Sequence, residues 1–300
     1  MTRPPRIRVL AVIAALLAVA AGPRAEPCAT HPFLGITCID RTEAAPRPVH
    51  MHVVQINLTA PGLHLTLSPP AGAREVVRQP TLEFLEQEHA QLAINAHFFL
   101  PFPSADTEAW LIGIAASEGR VYSAFESPEQ DYALLADAPG LNIDRTNHAT
   151  IVHRRLRQGS SAQGADDGAH VAEPVRLWTT VSGSAQIITG GAASIPGLEW
   201  YRAVQARTAI GLSLDGRTLT LFTVDKAGGS EGMQVGEVAE LLRRDYGVWD
   251  ALNLDGGGST TMAMEDPVTG AAMLVNTSSD QDPKAGRRVG SSLAVFARRS

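Results

Sequence analysis

The sequence predicts an α+β fold: a mixed, mostly antiparallel sheet with a few packed helices. Short apolar runs that alternate with polar residues recur along the chain, separated by Gly and Pro turn signals. One long segment, Met233 to Tyr246, has a helical stripe instead, with Val235, Val238, Leu241 and Leu242 on one side and Gly247 as its stop. Strands and helices do not alternate strictly, as a doubly wound parallel sheet would require.

The elements follow in order. Residues 1–25 read as a cleaved secretory signal. Arg3, Arg6 and Arg8 precede an apolar run from Val9 to Ala21, and small residues around Ala20 and Ala25 suit cleavage. The run is shorter than the roughly 20 apolar residues that a membrane-spanning helix needs. A periplasmic or secreted product with no stable membrane anchor after cleavage is therefore expected. Residues 26–48 form an N-terminal extension holding both cysteines, Cys28 and Cys38. An even cysteine count in an exported chain predicts a disulfide between them.

Val49 to Leu58 and Leu63 to Leu67 predict a hairpin around Pro61-Gly62. Thr81 is placed to cap a short helix running to His89. Gln91 to Asn95 is a short strand. Trp110 to Ala116 and Gly119 to Ala124 form a second predicted hairpin, and Tyr132–Ala136 and Ala149–Val152 are further strands. Gln158 to Gly168 is Gly-, Ser- and Ala-rich and reads as a loop. Val181 to Thr189 is a strand ended by Gly190-Gly191. Ala209–Leu214, Asp215-Gly216 and Arg217–Val224 predict a hairpin with a two-residue turn. Ala251 to Leu254 and Ser292 to Ala297 complete the strands.

Composition narrows the function. The 300 residues are 44% hydrophobic and 19% charged, enough apolar content for a sizeable core. The net charge of −6 and the 5% aromatic content leave neither a basic field nor a base-stacking platform, so no nucleic-acid partner is expected.

The densest chemistry is Asn253-Leu254-Asp255-Gly256-Gly257-Gly258-Ser259-Thr260-Thr261-Met262. Three consecutive glycines are costly to order and suit a backbone that must approach another group closely. A carboxylate, backbone amides and hydroxyls share this loop, which fits an oxygen-rich ligand such as a sugar or phosphate. No lysine follows the glycines, so a nucleotide-triphosphate loop is excluded. Thr261 stands where a serine-hydrolase elbow needs glycine. Asn95-Ala96-His97-Phe98-Phe99 ends a strand with two hydrogen-bonding side chains. Arg207-Thr208 opens the strongest hairpin, and a guanidinium there is able to grip phosphate. Asp225 closes the same hairpin beside a Gly-rich loop. Asn276-Thr277-Ser278 has the pattern of a glycosylation sequon, and Arg287-Arg288, before the last strand, is placed to add positive charge to the site.

Taken together, these segments resemble the phosphodiester glycosidase family. The matching pieces are Ile94 to Phe99, Ala206 to Gly211, Phe222 to Asp225, Gly232-Met233 and Asn253 to Met262, followed by Val275-Asn276 and Arg288-Val289. The resemblance runs from Val49 to Ala297, within one domain over residues 49–300. It implies hydrolysis of a sugar-1-phosphodiester at the anomeric side. On that reading Asp255 and Asp225 are the catalytic carboxylates. Arg207 and the amides of Gly256, Gly257 and Gly258 hold phosphate, and Asn95 and Ser259 position sugar hydroxyls. His97, Thr208, Asn253 and Arg288 complete the substrate-binding set. His97 stands where the family often has a small residue, and Lys226 replaces an expected Gly-Arg pair. The expected partner is a sugar-phosphodiester or glycan. No cofactor is expected; a divalent metal near Asp255 stays open, although no dense ligand cluster demands it. Two alternatives use the same loop: a non-catalytic envelope glycan-binding module, and a metal-dependent phosphodiesterase.

Overall fold

The computed structural model describes residues 30–123, 138–154, 171–277, 279 and 286–299. Strands dominate. A seven-stranded sheet, two five-stranded sheets and two smaller pieces stand against three short helices among the described residues. The helices do pack on the sheets, but the balance is more strand-rich than the expected α+β fold. Very short strands such as Ala115–Ser117 are too brief to show a period in sequence.

The seven-stranded sheet runs in the order Ile36–Glu43, Val49–Asn57, Thr218–Val224, Arg207–Ser213, Val248–Asn253, Ala185–Thr189, Ala192–Ala193. Neighbours are antiparallel. Alternation gives it two buried faces. Met51, Val53, Phe222 and Ala251 meet Val238, Leu241 and Leu242 of the helix Val235–Tyr246. Gln234 and Glu237 form a capping box at the start of that helix, and Gly247 closes it in the left-handed region at φ 66°. Val54, Ile56, Ile210, Leu221 and Leu252 face the other way, into a core shared with Leu65, Ile94, Met262 and Leu293 of the second sheet. The helix Thr81–Glu88 covers the far face of that second sheet through Phe84 and Leu85. Layers of helix, sheet, sheet and helix result. Truncating Leu242 or Ile94 to Ala costs about 2–5 kcal/mol at such sites.

Several expectations change. Val49–Asn57 does not pair with the strand that follows it. Its partners are Ile36–Glu43 and Thr218–Val224, while His64–Leu67 joins Ser292–Phe296 in the second sheet. Ile36–Glu43, within the expected extension, is thus a strand of the main sheet. Thr81 lies inside the first helical turn, hydrogen-bonded to Ser292 Oγ at 2.9 Å, and Pro80 takes the cap position. The loop after Arg207–Ser213 spans four residues, because Asp215 turns back to accept from Ser213 Oγ and Arg217 N–H. The strand expected over Val181–Thr189 is two strands in different sheets, Thr179–Ser182 and Ala185–Thr189. They separate at Gly183, where a Cβ would come 2.6 Å from the Asn253 carbonyl.

The leader, Cys28, the Tyr132–Ala136 strand and the Gln158–Gly168 loop lie outside the described residues. Cys38 is buried, and no cysteine among the described residues is free. Among the described residues no helix is long and apolar enough to cross a membrane.

Candidate active site

The strand Val248–Asn253 delivers the chain to a loop that two neighbouring segments hold in place. Leu254 N–H donates to the Thr208 carbonyl at 2.9 Å, Asp255 N–H to Ala96 at 3.0 Å, and Gly257 N–H to Ala206 at 2.8 Å. Asn95 Nδ2 donates to the Asp255 carbonyl at 2.7 Å. Gly257, at φ 59°, starts a single 3₁₀ turn through Ser259. With its backbone fixed on both sides, Asp255 turns its side chain toward a cavity of about 470 Å³.

Gly256 to Ser259 form the polar floor of that cavity beside Asp255. Phe98, Phe99, Phe102 and Trp200 supply aromatic walls, and Arg287 lines the same space. The Trp200 and Phe98 rings meet edge to face with centroids 6.2 Å apart. Arg287 lies over the Phe102 ring, its guanidinium carbon 5.0 Å from the centroid. Burial pushes the Asp255 carboxyl up to about 7, against the opposing pull of a Ser259 hydrogen bond, the Arg287 charge and the Gly256 amide. An aromatic-walled cavity with one titrating carboxyl and one cation suits a polar ring that bears an anionic group.

Several expected site residues have structural roles instead. Asn95 is fully buried, and its Oδ1 accepts from Thr208 Oγ1 and from Thr261 N–H, both at 2.9 Å. Asn95 and Thr208 therefore clasp the loop and do not reach a ligand. Asn253 is buried, with Nδ2 donating to Ser184 Oγ at 2.9 Å. His97 is sealed in the interior, where Ser182 N–H donates to Nε2 at 2.9 Å and Nδ1 meets Ser291 Oγ at 2.8 Å. Its ring is neutral, because burial pushes its pKa down to about 4.

Arg207 lies beneath the site. Nε donates to the Met233 carbonyl at 3.1 Å, and Nη2 donates to the carbonyls of Trp200 and Ala203. A guanidinium so engaged braces backbone rather than gripping phosphate. Arg288 is exposed and donates to the Arg78 carbonyl at 3.1 Å; its neighbour Arg287 is the arginine that faces the cavity. The three glycine amides do not act as one cradle, since Gly257 N–H is committed to Ala206. Asn276 is buried, binding Met262 N–H and the Thr260 carbonyl, so its role is structural.

Asp225 is not among the residues that line the cavity. Its Oδ1 accepts from Thr277 N–H at 2.9 Å, and its Oδ2 faces His50 and His52. It follows a strand two positions across the sheet from the one that feeds Asp255, roughly 10 Å at ordinary strand spacing. The structure does not join the two aspartates in one cavity. Of the expected residues, Asp255, Gly256, Gly257, Gly258 and Ser259 are at the cavity.

Sequence reasoning missed Trp200. It lies on the four-residue helix Glu199–Arg202, too short to carry a period, and its Trp-Tyr pair just before the Arg207 segment was the only signal.

The phosphodiester glycosidase family model matches residues 88–296. No curated protein matches the chain in sequence. Solved structures share the fold. A hypothetical protein from Synechocystis is 17% identical with a TM-score of 0.61; the match covers 88% of this chain and 62% of that one. This chain thus spans less than two thirds of that relative. The zebrafish N-acetylglucosamine-1-phosphodiester α-N-acetylglucosaminidase catalytic domain, auto-inhibited by its pro-peptide, is 18% identical, with 90% and 87% coverage and a TM-score of 0.59. A putative exported protein from Burkholderia pseudomallei is 16% identical, with 83% and 74% coverage and a TM-score of 0.60. With Asp255 and its glycine loop inside the matched span, the chain belongs to the phosphodiester glycosidase family.

Proposed function

We propose that the protein is an exported hydrolase that releases a sugar from a sugar-1-phosphodiester by breaking the C1–O bond. The observation that carries this reading is the Asp255 carboxyl, raised to about 7, facing an aromatic cavity that Arg287 also lines. Trp200 and the phenylalanines offer faces for a sugar ring, and Arg287 offers charge for the phosphate. The departing phosphate is already a stable anion, so the C1–O electron pair leaves on oxygen with little need of a proton. Positive charge then builds at the anomeric carbon. Ionised Asp255 stabilises it and accepts a proton from the water that adds to C1. A carboxylate that titrates near 7 is matched to that transfer at neutral pH. The apolar leader and the likeness to a putative exported protein support export.

The name of the zebrafish relative suggests the first substrates, alkyl phosphodiesters of N-acetylglucosamine 1-phosphate. Incubation in ¹⁸O-labelled water is expected to place label on the sugar C1 hydroxyl and leave the phosphomonoester unlabelled. Label in the phosphate would show P–O cleavage and overturn the reading. Binding without release of sugar, across a panel of sugar-1-phosphodiesters, would make the protein a glycan-binding module.

A further inference from the structure

A second cluster of titratable side chains sits on the seven-stranded sheet, apart from the residues that line the aromatic cavity. Strand alternation assembles it. His50 and His52 are two apart on one strand and share a face. Asp40 pairs with His52 from one side, and Thr223 pairs with it from the other. Asp225 follows Thr223 by two, and its N–H donates to the His50 carbonyl at 2.9 Å. Further along this face are Val54 and Ile56, so the cluster is the polar end of an apolar row.

Asp225 contacts both rings. Its Oδ2 lies 3.2 Å from His50 Nδ1 and 3.3 Å from His52 Nε2. A carboxylate only accepts, so the His52 hydrogen bond to Asp225 runs from Nε2–H. In the neutral ring the His52 lone pair then sits on Nδ1 and faces Asp40. His50 Nε2 is hydrogen-bonded to Asp40 Oδ1, and His52 Nδ1 stands 3.9 Å from Asp40 Oδ2. That distance is too long for a hydrogen bond. His52 is 2% exposed and its Nδ1 has no hydrogen-bond partner. Thr223 Oγ1, in the same row, is also buried without one. The buried His52 Nδ1 thus faces a second acceptor, and a cation between them would satisfy both.

We propose that Asp40, His50 and His52 bind a divalent transition-metal cation of the zinc class, with Asp225 orienting both rings. One donor atom from each of the three ligands lies within 4.8 Å of the others. Two imidazoles and a carboxylate suit zinc and its transition-metal neighbours; calcium and magnesium prefer all-oxygen shells. A metal-bound histidine characteristically donates its other N–H to a carboxylate, and Asp225 takes that part for both rings. The histidines are fixed by the sheet. Asp40, whose side chain is 32% exposed, is free to swing outward and open its contact with His50 to the roughly 3.3 Å that separates ligands on one tetrahedral metal. Such an ion joins the first two strands of the sheet and, through Asp225, the segment at Thr277. The inference does not depend on the sugar-phosphodiester reading.

The test uses the full chain, stripped with a chelator and titrated separately with Zn²⁺ and Co²⁺. A single bound equivalent, visible absorbance from the Co²⁺ complex and a metal-dependent rise in Tm are expected. Asp225→Asn should weaken binding about 10–100-fold. Asp40→Asn and His50→Gln should weaken it further. Asp40 is at the sheet edge, so Asp40→Asn keeps the test decisive if a buried variant misfolds. Failure of the wild-type chain to take up either metal would overturn the proposal. So would undiminished binding in both Asp40→Asn and His50→Gln, which would place the metal elsewhere.

Discussion

The Arg287 guanidinium fills the space that a side chain at position 258 would need. A Cβ on Gly258 would come 2.2 Å from Arg287 Nη2. Gly258 is not in the left-handed region, so close approach rather than backbone freedom accounts for glycine here. The last glycine of the loop is therefore what lets a cation lie over the cavity floor.

Gly258→Ala is expected to push Arg287 off the loop while leaving the fold intact, because the clash is with the far end of a flexible side chain. A displacement of about 1 Å in a positioning group lowers rate on the order of 100-fold. Measuring kcat/KM on a sugar-1-phosphodiester, with circular dichroism as the fold control, checks this. Wild-type kcat/KM in a folded Gly258→Ala protein would remove Arg287 from the site.

Arg207 and Arg287 should separate cleanly by experiment. Arg207 is buried, its charge is disfavoured enough to bring its pKa down to about 10, and its donors hold backbone carbonyls. Arg207→Met leaves those carbonyls unpaired and should cost about 3 kcal/mol of stability. Arg287→Ala should cost less stability than Arg207→Met and lower kcat/KM about 100-fold, the usual effect of removing one anion-stabilising donor. Thermal melts and kinetics on both variants decide the matter. An Arg207 variant that keeps its stability and loses only activity would reverse the two roles.

Asp255 ties activity and stability to pH in opposite directions. Its carboxyl is raised from 3.8 to about 7, chiefly by burial. The folded state then binds its proton more tightly than the unfolded chain does. Stability contributed by this group is greatest below the unfolded value and declines as pH rises from 3.8 to about 7. Activity requires the ionised form and should rise with pH to a plateau above about 7. Asp255→Asn should be inactive yet more stable at pH 8, by about 1–3 kcal/mol after allowance for water in the open cavity. Denaturant unfolding at several pH values and a kcat/KM profile test both halves. An acidic limb retained by Asp255→Asn would sink the assignment.

The sequence made the loop legible but not the direction of its neighbours. Asp255 and its glycines stand together in the chain, so their chemistry is readable without knowing the fold. An arginine is different, because sequence shows the charge and not where a long side chain points. Arg207 carries the family-like segment and braces backbone, while of the Arg287-Arg288 pair it is Arg287, not the expected Arg288, that reaches the cavity. Strand pairing fails for a related reason. Val49–Asn57 and His64–Leu67 alternate like a hairpin, yet their partners Thr218–Val224 and Ser292–Phe296 are far along the chain. Period-two patterning identifies a strand and its faces, but burial on both faces leaves the partner to the whole core.

His97 predicts acid sensitivity unrelated to catalysis. Burial pushes its pKa down from 6.5 to about 4, so the folded protein keeps the ring neutral while the unfolded chain protonates it. Its contribution is fully present above pH 6.5 and is lost as pH falls toward 4. The loss over that window reaches about 3 kcal/mol. His97→Gln retains a neutral hydrogen-bonding side chain without the titration. It should be less stable than wild type at pH 7, because the Ser291 and Ser182 contacts are imperfectly replaced. Its stability should nonetheless fall less steeply between pH 6.5 and 4. Urea unfolding across that range compares the two slopes. Equal slopes would mean that other groups govern acid unfolding and that the buried imidazole is protonated without loss of its contacts.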